Sequence, residues 1–148
     1  MEAIWARGRD NARTPMQWDD TENAGFTKGT PWLPVNDNYR SIHAKAALED
    51  PNSVFHCYRK LIRLRKEYPI FREGAFTLLD RENPWVFAYT RDTEKEHLLV
   101  VCNFTAEERE FTVPGQFGSG EKLLGNYPGT VSALRPYEAA IYYYEERK

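Results

Sequence analysis

After residue 70 the apolar residues leave helical spacing and fall into short runs of strand formers, and this change constrains the fold more than any other feature. Segments near 75–80, 85–91, 97–104, 109–113, 121–126, 130–134 and 137–144 are rich in Phe, Tyr, Val, Leu and Thr. Turn signals separate them: Asn83-Pro84, Pro114-Gly115, Gly118-Ser119-Gly120, Pro128-Gly129 and Arg135-Pro136. Aromatic and β-branched residues suit a pleated, half-buried surface. About seven short runs at regular spacing therefore predict a mainly β fold, an antiparallel Greek-key sandwich in place of a parallel sheet. Leu98-Leu99-Val100-Val101-Cys102 is apolar throughout, as a central strand covered on both faces would be, while Trp85-Val86-Phe87-Ala88-Tyr89 alternates only weakly. Asp80 to Asn83 and Gly115 to Gly120 read as ordinary surface turns.

One amphipathic helix precedes this region. Val54, Phe55, Tyr58, Leu61, Ile62 and Arg65 recur at spacings of three and four. Asp50 is the expected N-cap, Pro51 the first helical residue, and Pro69 the stop. Arg59, Lys60, Arg63 and Lys66 form a solvated polar face, biased toward the end where the helix dipole favours cations. Residues 1 to about 50 hold Gly8, Pro15, Gly25, Gly29, Pro31, Pro34 and the Asn36-Asp37-Asn38 cluster, and read as one long loop. Loops of that length are functional or disordered. Trp18, Phe26, Trp32 and Tyr39 argue for a packed one, with Trp18 and Trp32 read as buried anchors ahead of the alternative that they stack on sugar rings.

With 20 basic and 22 acidic residues and no long like-charged block, neither a nucleic-acid footprint nor a membrane-surface patch is expected. No apolar run approaches the roughly 18 residues of a membrane span, and the N-terminus lacks a signal-type apolar stretch, so a soluble, cytoplasmic protein is expected. Cys57 and Cys102 lie in apolar segments and read as small buried hydrophobes without a disulfide. Asn103-Phe104-Thr105 matches a glycosylation sequon, but a strand ending in a turn is the better reading. His43, His56 and His97 are scattered, without Cys or carboxylate partners at ligand spacing, so no metal is expected. No cofactor is expected either.

The stretch Arg9-Asp10-Asn11-Ala12-Arg13-Thr14-Pro15-Met16-Gln17-Trp18, followed by Asp19-Asp20 and Asn23-Ala24-Gly25-Phe26, combines guanidinium forks, carboxylates, amides and an indole. Those are the groups that grip sugar hydroxyls and cover a ring face. The string resembles the segment after the last barrel strand in the oligo-1,6-glucosidase and trehalose-6-phosphate hydrolase branch of the α-amylase family. The likeness continues through Pro31-Trp32, Val35-Asn36, Asn38-Tyr39, Ala47-Leu48-Glu49-Asp50, Lys60 to Lys66, Asn103-Phe104 and Leu134-Arg135-Pro136-Tyr137-Glu138-Ala139. Ile42-His43-Ala44 departs from the Ile-Asn-Val of many relatives. A (β/α)₈ barrel takes about 250 residues, so the resemblance implies the C-terminal portion of a retaining α-glucosidase. Residues 1–69 would then be the last βα loop and helix of the barrel, and residues 70–148 the β-sandwich domain.

The resemblance also implies that the catalytic carboxylates come from earlier barrel strands, so the catalytic set in this chain is none and the chain alone is inactive. Arg9 and Asp10 would contact the glucose at the point of cleavage, with Arg13 bracing the loop and Asn11, Gln17 and Trp18 serving as scaffold. The implied partners are an α-linked glucose oligosaccharide or trehalose 6-phosphate and the rest of the barrel. The helix from Val54 to Ile62 would pack on the sandwich or self-associate with a second copy. Two other classes compete. A free-standing carbohydrate-binding sandwich would present Trp85, Tyr127 or Tyr137, but has no use for a barrel loop and helix. A small independent hydrolase using Asp10 and Asp19 lacks an acid/base pair held on rigid elements.

Overall fold

The structure, a computed structural model, describes residues 10–129 and 133–146, apart from the side chain of Asn11. It divides into two compact units, Met1–Leu61 and Ile62–Lys148.

In the first unit, 3₁₀ turns at Asp10–Ala12, Glu22–Gly25 and Asp37–Arg40 lead to a short helix α1 (Ala44–Glu49) and the first half of α2 (Val54–Glu67). Helix α1 falls inside the expected loop; its Ala-Lys-Ala-Ala-Leu-Glu sequence is made of strong helix formers. The start of α2 also differs from expectation. The Asp50 N–H donates to Ala46 O and so closes α1, while its carboxylate accepts the Asn52 N–H at 2.9 Å in a local turn. Ser53 takes over the capping: its Oγ accepts the His56 N–H at 3.4 Å and donates to Ala47 O at 2.6 Å. Pro51 therefore lies in the turn before the helix.

Most of the α2 stripe lies in water. Val54, Phe55, Tyr58 and Ile62 are exposed, and Leu64 is the buried residue of the helix. Cys57 is exposed on α2 and Cys102 half-buried on the sheet, so neither is the buried hydrophobe expected; both are free thiols. Trp18 is 53% exposed and Trp32 92% exposed, which corrects their reading as buried anchors. In this unit Pro15 and Ala24 are the buried residues among those described, so there is no core to receive an indole.

The second unit has seven strands among the described residues: β1 (Ala75–Leu79), β2 (Val86–Asp92), β3 (Glu96–Asn103), β4 (Arg109–Glu110), β5 (Glu121–Gly125), β6 (Ala133–Leu134) and β7 (Ala139–Glu145). They form an antiparallel five-stranded sheet in the order β1-β2-β3-β7-β5 and a two-stranded sheet β4-β6. Because side chains alternate along a strand, Val86, Ala88, Leu99, Val101, Ala140 and Tyr142 share one sheet face. Leu134 and Phe117 complete that core, with Leu79, Phe111, Val113 and Tyr144 around it. This is the expected β-sandwich. Burial in β2 alternates from Val86 to Arg91, a pattern hidden in the sequence because its outward positions Phe87 and Tyr89 are also apolar.

One detail corrects the reading of turns as plain surface, and a second bears out the strand that ends in a turn at Asn103. Gly115–Ser119 is a 3₁₀ turn that delivers Phe117 into the core at 2% exposure. Asn103 is 3% exposed. Its Nδ2 donates to Glu107 O and Arg135 O, and its Oδ1 accepts from the Thr105 N–H and hydroxyl. A buried amide with its hydrogen-bonding capacity so used pins the end of β3 and cannot serve as a glycan acceptor.

Helix α2 ends before Pro69, and a one-turn helix α3 (Ile70–Glu73) leads into β1. The Arg91 guanidinium donates to Ile70 O, Arg72 O and Gly74 O, a cation on the open carbonyls of a helix end. A second arginine closes the β6–β7 turn. Glu138 is fully buried, and accepts from the Arg135 backbone N–H, Nε and Nη2 at 3.0–3.1 Å. Burial alone would raise the Glu138 pKa. The Arg135 hydrogen bonds and charge, with the Lys122 charge, outweigh it and hold the carboxyl below the usual glutamate value.

Candidate functional site

The chemistry-bearing loop is held by side-chain to backbone bonds in place of a core. Gln17 Nε2 donates to Asn38 Oδ1 at 3.0 Å and to Ile42 O, spanning more than twenty residues. Asn23 Nδ2 donates to Thr27 O and Gly29 O. Between these anchors Asn23, Ala24 and Gly25 are three consecutive residues at positive φ, 53°, 56° and 66°. Left-handed backbone costs a non-glycine residue roughly 1–2 kcal/mol. The turn persists because both the Trp18 and Asp19 N–H groups donate to Ala24 O. Gly25 is required there: a Cβ would lie 2.7 Å from Asp19 Oδ1.

Asp19 organises the same turn. Its Oδ1 accepts from the Thr21 hydroxyl and, at 2.9 Å, from the Thr21 N–H. The Thr21 hydroxyl and then its N–H hold the Asp19 carboxyl below the usual aspartate value, helped by the positive charge of Lys45. An ionised carboxylate engaged in a turn is a poor general acid, which argues against an independent hydrolase centred on it.

Of the residues read from sequence as substrate-contacting, Arg9 lies outside the described residues. Asp10 is described: it opens the first 3₁₀ turn, is exposed, and its carbonyl accepts the Arg13 N–H at 3.0 Å. Arg13 is exposed. The bracing visible in the loop comes from Gln17, Asp19, Asn23 and Asn38, and sequence reasoning identified only Gln17 among them as scaffold. Amide and carboxylate residues clustered in a turn-rich stretch were the available signal. Trp18, Phe26 and Trp32 stand out from this frame as exposed aromatic faces beside polar groups.

The sandwich offers a weaker alternative. The Arg109 guanidinium lies 4.7 Å over the Trp85 ring and that of Arg135 4.2 Å over Tyr127, so two of the three aromatics proposed to stack on a glycan already carry a cation on one face. Tyr137 is exposed, at φ 54°. A depression of about 320 Å³ is lined by Leu79, Asp80, Glu110, Phe111, Thr112 and Pro114. His97 has a carboxylate partner across the β2–β3 hairpin: its Nδ1 is 2.8 Å from Asp92 Oδ1. Among the described residues no group of His, Cys, Asp or Glu is arranged to hold a metal ion, and no helix is long and apolar enough to cross a membrane.

Comparison with known proteins places both halves. Residues 1–74 match the alpha amylase catalytic domain and residues 76–144 the maltogenic amylase C-terminal domain. The chain belongs to the α-amylase family of glycoside hydrolases. It is 50% identical to an oligo-1,6-glucosidase of Parageobacillus thermoglucosidasius over 96% of this chain and 27% of that protein. It is 48% identical to trehalose-6-phosphate hydrolase of Bacillus subtilis over 94% of this chain and 26% of that protein. The crystal structure of Bacillus licheniformis trehalose-6-phosphate hydrolase superposes with a TM-score of 0.88 at 40% identity, over 98% of this chain and 28% of that one. The chain thus spans about a quarter of the length of these relatives.

Proposed function

We propose that this chain is the C-terminal part of a retaining α-glucosidase that hydrolyses short α-glucosides, such as isomalto-oligosaccharides or trehalose 6-phosphate. Residues 1–69 supply the last βα loop and helix of the barrel, and residues 70–148 form the sandwich domain that follows in sequence. The observation that carries this reading is identity near one half to an oligo-1,6-glucosidase along nearly the whole chain, loop motif included. Retaining glycosidases of this kind work with two carboxyl groups about 5–5.5 Å apart, a nucleophile and an acid/base. Those groups belong to earlier barrel strands, and this chain contributes recognition. The planar fork of Arg9 suits adjacent hydroxyls of the bound glucose, with Asp10 accepting from another. The partners are the α-glucoside, the remainder of the barrel and, through the exposed Val54 to Ile62 stripe, a second copy. Two free thiols fit a reducing, cytoplasmic setting.

The test is made in the intact enzyme. Arg9→Ala is expected to lower kcat/KM on an α-glucoside by about ten- to a hundredfold, since a hydrogen bond from a charged group contributes about 1.5–3 kcal/mol. Arg13→Lys is expected to lose far less. An Arg9→Ala enzyme with near-normal efficiency and a lowered Tm would move Arg9 from the sugar site to the loop frame.

A further inference from the structure

Helix α1 is capped by a histidine, where N-caps are usually Ser, Thr, Asp or Asn. His43 has extended backbone, and its Nδ1 accepts the Ala46 N–H at 3.2 Å. An oxygen cap accepts at any pH near neutrality, whereas an imidazole nitrogen accepts only while it carries no proton. Protonation turns Nδ1 into a donor facing a donor, and sets a positive charge at the helix end where the dipole opposes it.

What that cap supports is the loop. The Ala44 N–H donates to Gln17 O at 2.9 Å and the Lys45 N–H to Trp18 O at 3.0 Å. The first turn of α1 is therefore the point to which Gln17 and Trp18 are tied. The Asp19 carboxylate on the loop interacts with both His43 and Lys45, and at the other end of α1 the His56 Nε2 lies 2.9 Å from Leu48 O.

We propose that His43 is a protonation-controlled clamp on the Gln17-Trp18 segment: neutral, it caps α1 and keeps the first turn fixed to the loop; protonated, it gives up the Ala46 N–H and loosens that tie. Its effect on sugar binding rests on the function proposed above, but the clamp itself does not, so the two fail separately.

The experiment is amide hydrogen exchange on the intact protein between pH 8 and pH 5, corrected for intrinsic rates. Peptides covering 16–19 and 43–49 should lose about fivefold in protection across the histidine range, the effect of an ordinary cap, while peptides of β5, which carries no histidine, stay unchanged. His43→Asn, whose side-chain oxygen caps at either pH, should keep protection and abolish the pH dependence. His43→Ala should be weakly protected throughout. A pH-independent wild type, or a His43→Asn protein with the wild-type profile, overturns the proposal. Should His43→Asn fold poorly, as β5 protection would reveal, NMR titration of the wild type decides. The His43 ring and the Ala46 amide must then move with one midpoint, and separate midpoints reject the clamp.

Discussion

The two units are built on opposite principles. Ile62–Lys148 buries a continuous set of large apolar side chains between two sheets. The described part of Met1–Leu61 keeps its shape through amide and carboxylate bonds to backbone, with Trp18 and Trp32 exposed. Fully burying a Leu, Val or Phe side chain is worth about 1.5–3 kcal/mol, against about 0.5–1.5 kcal/mol net for a typical hydrogen bond. The sandwich can hold itself. The loop is the kind of segment that a larger neighbour must support, and its exposed aromatic and polar groups are what a sugar site draws on.

The sharpest way to break this comparison is to remove bulk from each unit. Leu99→Ala in β3 should destabilise the sandwich by about 2–5 kcal/mol in denaturant melts. Trp32→Ala should stay within about 0.5 kcal/mol, as for a surface change. Equal losses would show that the loop has a core of its own.

A smaller effect separates the units by pH. Because the Glu138 pKa lies below its ordinary 4.5, the carboxylate's contribution is complete above that value and is lost as pH falls through the depressed one. Sandwich stability should therefore decline in acid below about pH 4.5, and Glu138→Gln should flatten that decline. Melts from pH 3 to 7 check it, and an unchanged acid limb would assign the loss to other carboxylates. Arg135→Met, which leaves the buried carboxylate without its cation, should cost more than Glu138→Gln.

The smallest expected effect belongs to the loop. Gly25→Ala places a methyl against Asp19 in left-handed backbone, a strain of about 1–3 kcal/mol. It should raise amide exchange at Trp18 and Asp19 while the sandwich melt stays unchanged. A lowered sandwich melt would mean that the units are not independent.

The same contrast governs what could be read in advance. All seven strands were legible because Pro, Gly and Asn punctuate runs of Val, Leu, Phe and Tyr, and those runs pair with one another inside the chain. Phe117 was not, since Gly115, Gly118 and Gly120 around it read as surface while the core requires a plug there. Helix α1 was missed because its cap is a histidine, and the start of α2 was misplaced because Asp50 spends its carboxylate on Asn52. In the loop, residue types led to the proposed sugar contacts. The geometry depends on pairings such as Gln17 with Asn38 and Ile42, whose separations no local pattern encodes. The solvent-facing α2 stripe was legible as apolar, but what covers it is not written in its spacing.

The central claim, that this chain carries recognition elements of an α-glucosidase and none of its catalytic carboxylates, is tested most directly by assaying the pure 148-residue chain on a nitrophenyl α-glucoside. The account predicts no turnover above the uncatalysed background at any protein concentration. Hydrolysis that rises in proportion to the purified chain would contradict it, and would require a nucleophile and an acid/base among residues assigned here to loop frame and sandwich.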